Sequence, residues 1–267
     1  MKYRTYKPSP PLDALVENLW SLADAPAHAR ERIVPSGTFE LVVNLDEDEV
    51  RVYEPDGTVR RHAGAVVSGA FTRSFVVDTR EHASLIGVHF KPGGARAFLG
   101  TRADELTDAH VELAALWSPA AAGRLRDALC SAASAAERLA ILERTLREHL
   151  VPSLAGRRFV RALAARHRAP LAEVAEHIGR SQRSFIDVFS AEVGMTPKLF
   201  LRIRRFQRAF ALAGQACESG WAQIALDCGY CDQSHLIRDF VDFAGVTPAE
   251  YARRRSAPVK RDHIALA

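Results

Sequence analysis

Trp221-Ala-Gln-Ile224-Ala225-Leu-Asp-Cys228-Gly229-Tyr-Cys-Asp232-Gln233-Ser234-His235-Leu236-Ile-Arg238-Asp-Phe240, followed by Gly245-Val-Thr247-Pro248, is the stretch that decides the fold. Apolar residues at helical spacing run to Cys228 and resume at Leu236. Gly229 interrupts them, because the turn after a helix needs a residue free to adopt positive φ. Asp232 can then accept a hydrogen bond from the open amides of a second helix. Thr247-Pro248 reads as the N-cap and first position of a third. The same pattern stands upstream as Leu171-Ala-Glu-Val-Ala175-Glu-His-Ile178-Gly179, then Ser181 to start a run ending at Phe189, then Gly194-Met-Thr196-Pro197. Ala175 and Gly179 map onto Ala225 and Gly229 at an offset of 50. Phe185, Phe189, Gly194, Thr196 and Pro197 map onto Leu236, Phe240, Gly245, Thr247 and Pro248 at 51, so the second turn is one residue longer. Two ordinary helical hairpins would share the apolar spacing. The repeated glycine, cap and Gly-x-Thr-Pro favour a doubled helix-turn-helix, whose second helices enter the DNA major groove.

Charge follows the repeat. The 267 residues carry 36 Lys and Arg against 32 Asp and Glu. The basic excess lies beyond residue 157, with a slight acidic excess before it, which suits phosphate contact by the C-terminal part. The start Met-Lys-Tyr-Arg shows no signal-peptide pattern, and no apolar run reaches the ~18 residues of a membrane span. Four cysteines, at 130, 217, 228 and 231, do not make a secreted disulfide framework. A cytoplasmic location with no membrane partner is expected.

The fold class predicted is α+β: an N-terminal β-rich small barrel or sandwich with helices, then an all-α domain of two helix-turn-helix units joined by a long helix. The boundaries are 1–151 for an effector-sensing or dimerisation domain, 157–256 for the DNA-binding domain and 257–267 for a C-terminal tail. Strands are expected within 32–45, 50–60 (a hairpin turning at Pro55-Asp56-Gly57), 66–67, 75–77 and 84–90. Helices are expected at 95–99, 111–117, 119–130, 135–150 and 158–167, and the joining helix at 196–212. Pro152-Ser-Leu-Ala-Gly156 reads as the hinge.

Residues 157–255 resemble the AraC/XylS family of transcriptional regulators, most specifically in Ile224-Ala225 through Phe240 and Gly245 through Tyr251, with Arg205-Phe206-Gln-Arg-Ala209 similar to the family's joining helix. Pro35-Ser-Gly37 and Gly87-Val-His-Phe-Lys-Pro-Gly-Gly94 are similar to the β-rich sensor domain of some members. The resemblance implies that 181–190 and 232–241 are recognition helices on one face of double-stranded DNA. Gln182, Arg183 and Ser184 in the first, and Gln233, Ser234, His235 and Arg238 in the second, are then the contact residues. Gln suits adenine and Arg suits guanine, although each could instead bond phosphate. Arg205 is expected to contact phosphate, so Arg205→Ala should weaken all sequences alike while His235→Ala alters preference at one base. Asp187 stands where the family often has a basic residue. It predicts either a cytosine contact or a weaker first unit.

Further partners implied are a small-molecule effector, RNA polymerase and a second copy of the chain. No cofactor, metal or catalytic residue is assigned. Cys228-x-x-Cys231 with Cys217 lacks a second ligand pair for zinc, and Cys228 falls on a core position of the repeat. His62, His82 and His89 lack metal spacing. Lys91-Pro-Gly-Gly94 reads as a strand-to-helix turn before an anion site. Trp20, Trp117 and Trp221 read as core. Phe39, Leu41, Val43, Val88 and Phe90 would line an effector pocket or an empty core equally well. The function expected is sequence-specific transcription regulation. The alternatives are a DNA-associated enzyme or repair protein, whose thiolate version the cysteine-free first 129 residues disfavour, and a non-specific architectural binder.

Overall fold

The structure, a computed structural model, describes residues 2–24, 30–54, 57–79, 84–167, 169–213, 220–254 and 263–266. Pro55, Asp56, His82 and Cys217 lie outside the described residues. The chain is α+β, with two open antiparallel sheets followed by helices. Its strands are β1 (Lys2–Tyr6), β2 (Val16–Ala23), β3 (Arg30–Ile33), β4 (Glu40–Asn44), β5 (Glu49–Tyr53), β6 (Val59–Ala63), β7 (Ala65–Ser68), β8 (Phe75–Asp78), β9 (Ser84–Phe90), β10 (His110–Glu112) and β11 (His263–Leu266). One sheet has the order β1-β2-β9-β4-β7-β10, the other β11-β3-β8-β5-β6. The strand β2 sits at the heart of the first sheet although its period-two pattern is poor. A register shift between Val16 and Asn18 explains this, because a bulge breaks the alternation.

Strand parity decides which side chains meet what. Along β4, Leu41 and Val43 are buried in the main core, whereas Glu40 and Val42 face a cavity of about 70 Å³ between the sheets. Leu41, Val43, Val88 and Phe39 are core residues that do not line that cavity, and Phe90, also in the core, edges a separate cleft of about 450 Å³. Phe90 packs on Phe98, ring centroids 5.3 Å apart.

The helices of the first part are α1 (Arg96–Leu99), α2 (Leu113–Leu116), α3 (Pro119–Ser131) and α4 (Ala135–Glu148). Of the helix expected at 111–117, only Leu113–Leu116 forms. His110–Glu112 pair with β7, which satisfies their backbone at the sheet edge. Then follow α5 (Ala155–Ala165), α6 (Leu171–His177), α7 (Gln182–Val193), α8 (Pro197–Ala213), α9 (Trp221–Cys228), α10 (Gln233–Ala244) and α11 (Pro248–Arg254). Residues 152–156 are not a loose hinge throughout. Ala155 and Gly156 already belong to α5, and a Cβ on Gly156 would lie 2.4 Å from the Gly93 carbonyl oxygen, so the two glycine backbones touch. The main core passes through this junction without a break, from Val88 and Leu142 to Phe159, Phe185 and Phe206. Part of the segment assigned to a C-terminal tail is β11, antiparallel to β3 in the sheet of the N-terminal part.

Candidate nucleic-acid interface

Both repeat units form, in matching detail. After α6, Gly179 adopts φ +74°, and the amides of Gly179 and Arg180 donate to the carbonyls of Glu176 and Ala175. After α9, Gly229 adopts φ +80°, and Gly229 and Tyr230 donate to Leu226 and Ala225. These are the same two bonds closing the same left-handed turn. Ser181 caps α7 by accepting from the Ser184 amide at 3.3 Å, and Asp232 caps α10 by accepting from the His235 amide at 2.7 Å. Gly194 and Gly245 end the two helices at φ +88° and +67°. Thr196 and Thr247 then accept from the Leu199 and Glu250 amides to open α8 and α11. Ala175 and Ala225 are fully buried where the helices of each unit cross.

At the start of α7, Gln182 and Arg183 are exposed and Ser184 is half-buried, its hydroxyl taking a hydrogen bond from Arg180 at 3.1 Å. At the start of α10, Gln233, Ser234 and Arg238 are exposed and His235 is half-buried. Gln182 and Gln233 occupy the same repeat position.

Arg205 is partly buried among side chains of the second unit. Its guanidinium lies 4.6 Å from the Tyr230 ring centroid, 3.4 Å from His235 Nε2 and 3.6 Å from the carboxylate of Asp239. Asp239 is 1% exposed and also accepts from Arg202 Nε at 2.7 Å. These arginines hold a buried carboxylate on the inner face of α10. A cleft of about 730 Å³ beside them, lined by Arg157, Arg204, Arg205 and Arg208, adds to the positive field of this part.

Asp187 is largely exposed and is paired within the chain. Arg102, in the loop before a 3-10 turn at Ala103–Leu106, reaches it at 3.1 Å. One turn on, buried Glu192 pairs with Arg96 of α1. The acidic character of the first unit therefore answers cations of the N-terminal part. Sequence reasoning missed Arg96 and Arg102; the one available signal was that two carboxylates on a helix expected to face DNA need cations from somewhere.

Elsewhere, Cys228 is buried, which pushes its thiol pKa up, and Cys231 is exposed. His89 pairs with Glu40 at 3.2 Å. Among the described residues no group of three or more His, Cys, Asp or Glu could hold a metal ion. Lys91-Pro-Gly-Gly94 makes a turn, the Gly94 amide donating to the Lys91 carbonyl and Lys91 Nζ to the Asp13 carbonyl. Trp20 and Trp221 are buried, and the half-buried Trp117 donates to the Phe98 carbonyl and stacks on His149. No helix among the described residues is long and apolar enough to cross a membrane.

Residues 174–254 match a family model described as a helix-turn-helix domain, and residues 4–112 match one described as a domain of unknown function. An uncharacterized HTH-type transcriptional regulator of Haemophilus influenzae is 30% identical over 121 residues, which cover 43% of this chain and 40% of that protein. The match thus spans about two fifths of the length of that curated relative. A transcriptional regulator of Chromobacterium violaceum with an AraC-type DNA-binding domain is 25% identical, with a TM-score of 0.32 over 38% of this chain and 93% of that one. ToxT of Vibrio cholerae, solved with an unsaturated fatty acid, is 9% identical, with a TM-score of 0.47 over 91% of this chain and 96% of that one. Residues 174–254 of this chain are thus a helix-turn-helix domain.

Proposed function

We propose that this protein is a sequence-specific DNA-binding transcription regulator. The observation that carries the reading is the pair of matching units, each presenting a capped helix with an exposed Gln at its first position and an exposed Arg within its first two turns. Gln182 and Arg183 would read one major-groove segment, and Gln233, Ser234, His235 and Arg238 the next. Genomic footprinting with the purified chain tests this. A recurrent two-part motif is the expected result. Equal protection of all sequences, with one salt slope, would instead mean architectural binding.

The N-terminal part would carry the controlling input, as a small-molecule effector site in the cavity between the sheets. Val42, Val52, Val66 and Phe75 give it apolar walls, and His110 supplies a buried Nε2 with no hydrogen-bond partner. Burial pushes the His110 pKa down to about 3, so this imidazole is neutral at physiological pH and suits an uncharged, mainly apolar ligand. An effector acts only if it binds one arrangement of the molecule better than another. Footprints of the chain with and without uncharged, mainly apolar compounds of only a few heavy atoms, the size a cavity of about 70 Å³ admits, check this, and His110→Phe should abolish any response. Contact with RNA polymerase, and dimer formation, would follow on DNA.

A further inference from the structure

The N-terminal part touches the C-terminal ends of both α7 and α10, around the repeat-equivalent glycines Gly194 and Gly245, the bonded carbonyls being those of Gly194 and Ala244. Gly194 and Gly245 are equivalent in the repeat, each being the left-handed residue that ends its helix. At the first, the Thr107 hydroxyl donates to the Gly194 carbonyl, and a Cβ on Gly194 would lie 3.0 Å from Phe39 and 3.1 Å from Ala70. At the second, Arg32 Nη1 donates to the Ala244 carbonyl at 2.8 Å, and a Cβ on Gly245 would lie 2.6 Å from that nitrogen. A guanidinium at the carbonyl end of a helix is favoured by the open acceptors and by the helix dipole.

The two grips come from different sheets. Phe39 leads into β4, Ala70 follows β7 and Thr107 precedes β10, all strands of the six-stranded sheet. Arg32 lies on β3 of the five-stranded sheet, paired with Val76 of β8 on one side and Ile264 of β11 on the other. The cavity lies between the sheets, with Val42 and His110 on one wall and Ile33 and His263 on the other.

We propose that the N-terminal part is a two-jaw clamp that sets the spacing of the recognition helices, with Thr107 and Arg32 as the positioning residues of its jaws. The inference rests on α7 and α10 being the DNA-reading helices. Two such helices serve successive major-groove segments only if their separation matches the duplex, about 34 Å for one turn. The two helix ends bond to different sheets, so a change in the distance between the sheets pulls on the relation between the helices against the packing of α8, whose Phe200 and Phe206 touch Phe189 of α7 and Phe240 of α10. A ligand in the cavity would act on that distance, without touching the DNA-binding part.

The clamp can be read with or without DNA. Spin labels at the equivalent exposed positions, Gln182→Cys and Gln233→Cys, with Cys130, Cys217 and Cys231 replaced by Ser, report the distance between the helix starts. The full chain should give one narrow distribution, and Arg32→Met should broaden or shift it. On DNA, the variant should lose roughly ten-fold in affinity for the best site. It should also discriminate less between sites whose two halves are moved apart by one or two base pairs. Thr107→Val, which leaves β3 untouched, should act likewise and serves if Arg32→Met does not fold. An unchanged distance distribution in both variants overturns the clamp, whatever DNA does. Absence of any preferred site for the full chain overturns the regulator reading and leaves the distance measurement to judge the clamp.

Discussion

Individual side chains in the C-terminal part divide sharply by burial. Asp239 is buried and its shortest cation contact is Arg202, so Arg202→Leu leaves the carboxylate only the longer pairing with Arg205. The expected cost is about 3 kcal/mol in urea unfolding. Arg238, one position before Asp239 but exposed, should change stability by less than ~0.5 kcal/mol on replacement by Ala while weakening DNA binding. Asp187 is 65% exposed, so Arg102→Ala should cost under ~1 kcal/mol. Arg205→Ala was expected from sequence to weaken all sequences alike. Because Arg205 lies against His235, the structure predicts a change in base preference as well, to be read by selection from random DNA. His110 has a folded pKa of about 3 against an ordinary 6.5, so the unfolded chain binds a proton that the folded one does not as pH falls between those values. Stability attributable to this group is therefore whole above pH 6.5 and is lost on acidification. About 2 kcal/mol should vanish between pH 7 and 5, and that component should be missing in His110→Gln.

Among elements, the recognition helices were the most legible in sequence because their signals are local. Gly179, Ser181, Gly229 and Asp232 each act on backbone groups within a few residues, so spacing alone reveals them. Ser181→Ala and Asp232→Ala should each cost about 1 kcal/mol, Asp232→Ala more because its carboxylate makes the shorter, charge-assisted bond. The two losses should add in the double variant, since the caps share no partner. Thermal unfolding of the three variants checks both points. The elements that escaped were those whose identity is set by a neighbour: β2 hides behind its bulge, β10 exists by pairing with β7, and β11 by pairing with β3.

For the whole molecule, the continuous core predicts one cooperative unfolding transition instead of two. Calorimetry together with near-ultraviolet circular dichroism checks this, and two resolved transitions would mean that the N- and C-terminal parts unfold independently. The amino-acid sequence by itself determined the doubled helix-turn-helix, its caps and turns, the joining helix and the β-rich character of the first ninety residues, because these rest on periodicity and backbone chemistry over short distances. Only the tertiary structure decided which face of β4 meets the cavity, why Asp187 and Glu192 are acidic, and that Thr107 and Arg32 hold equivalent ends of α7 and α10. Those facts are pairings between residues as far as 212 positions apart, and no local pattern encodes which distant partner a side chain will meet.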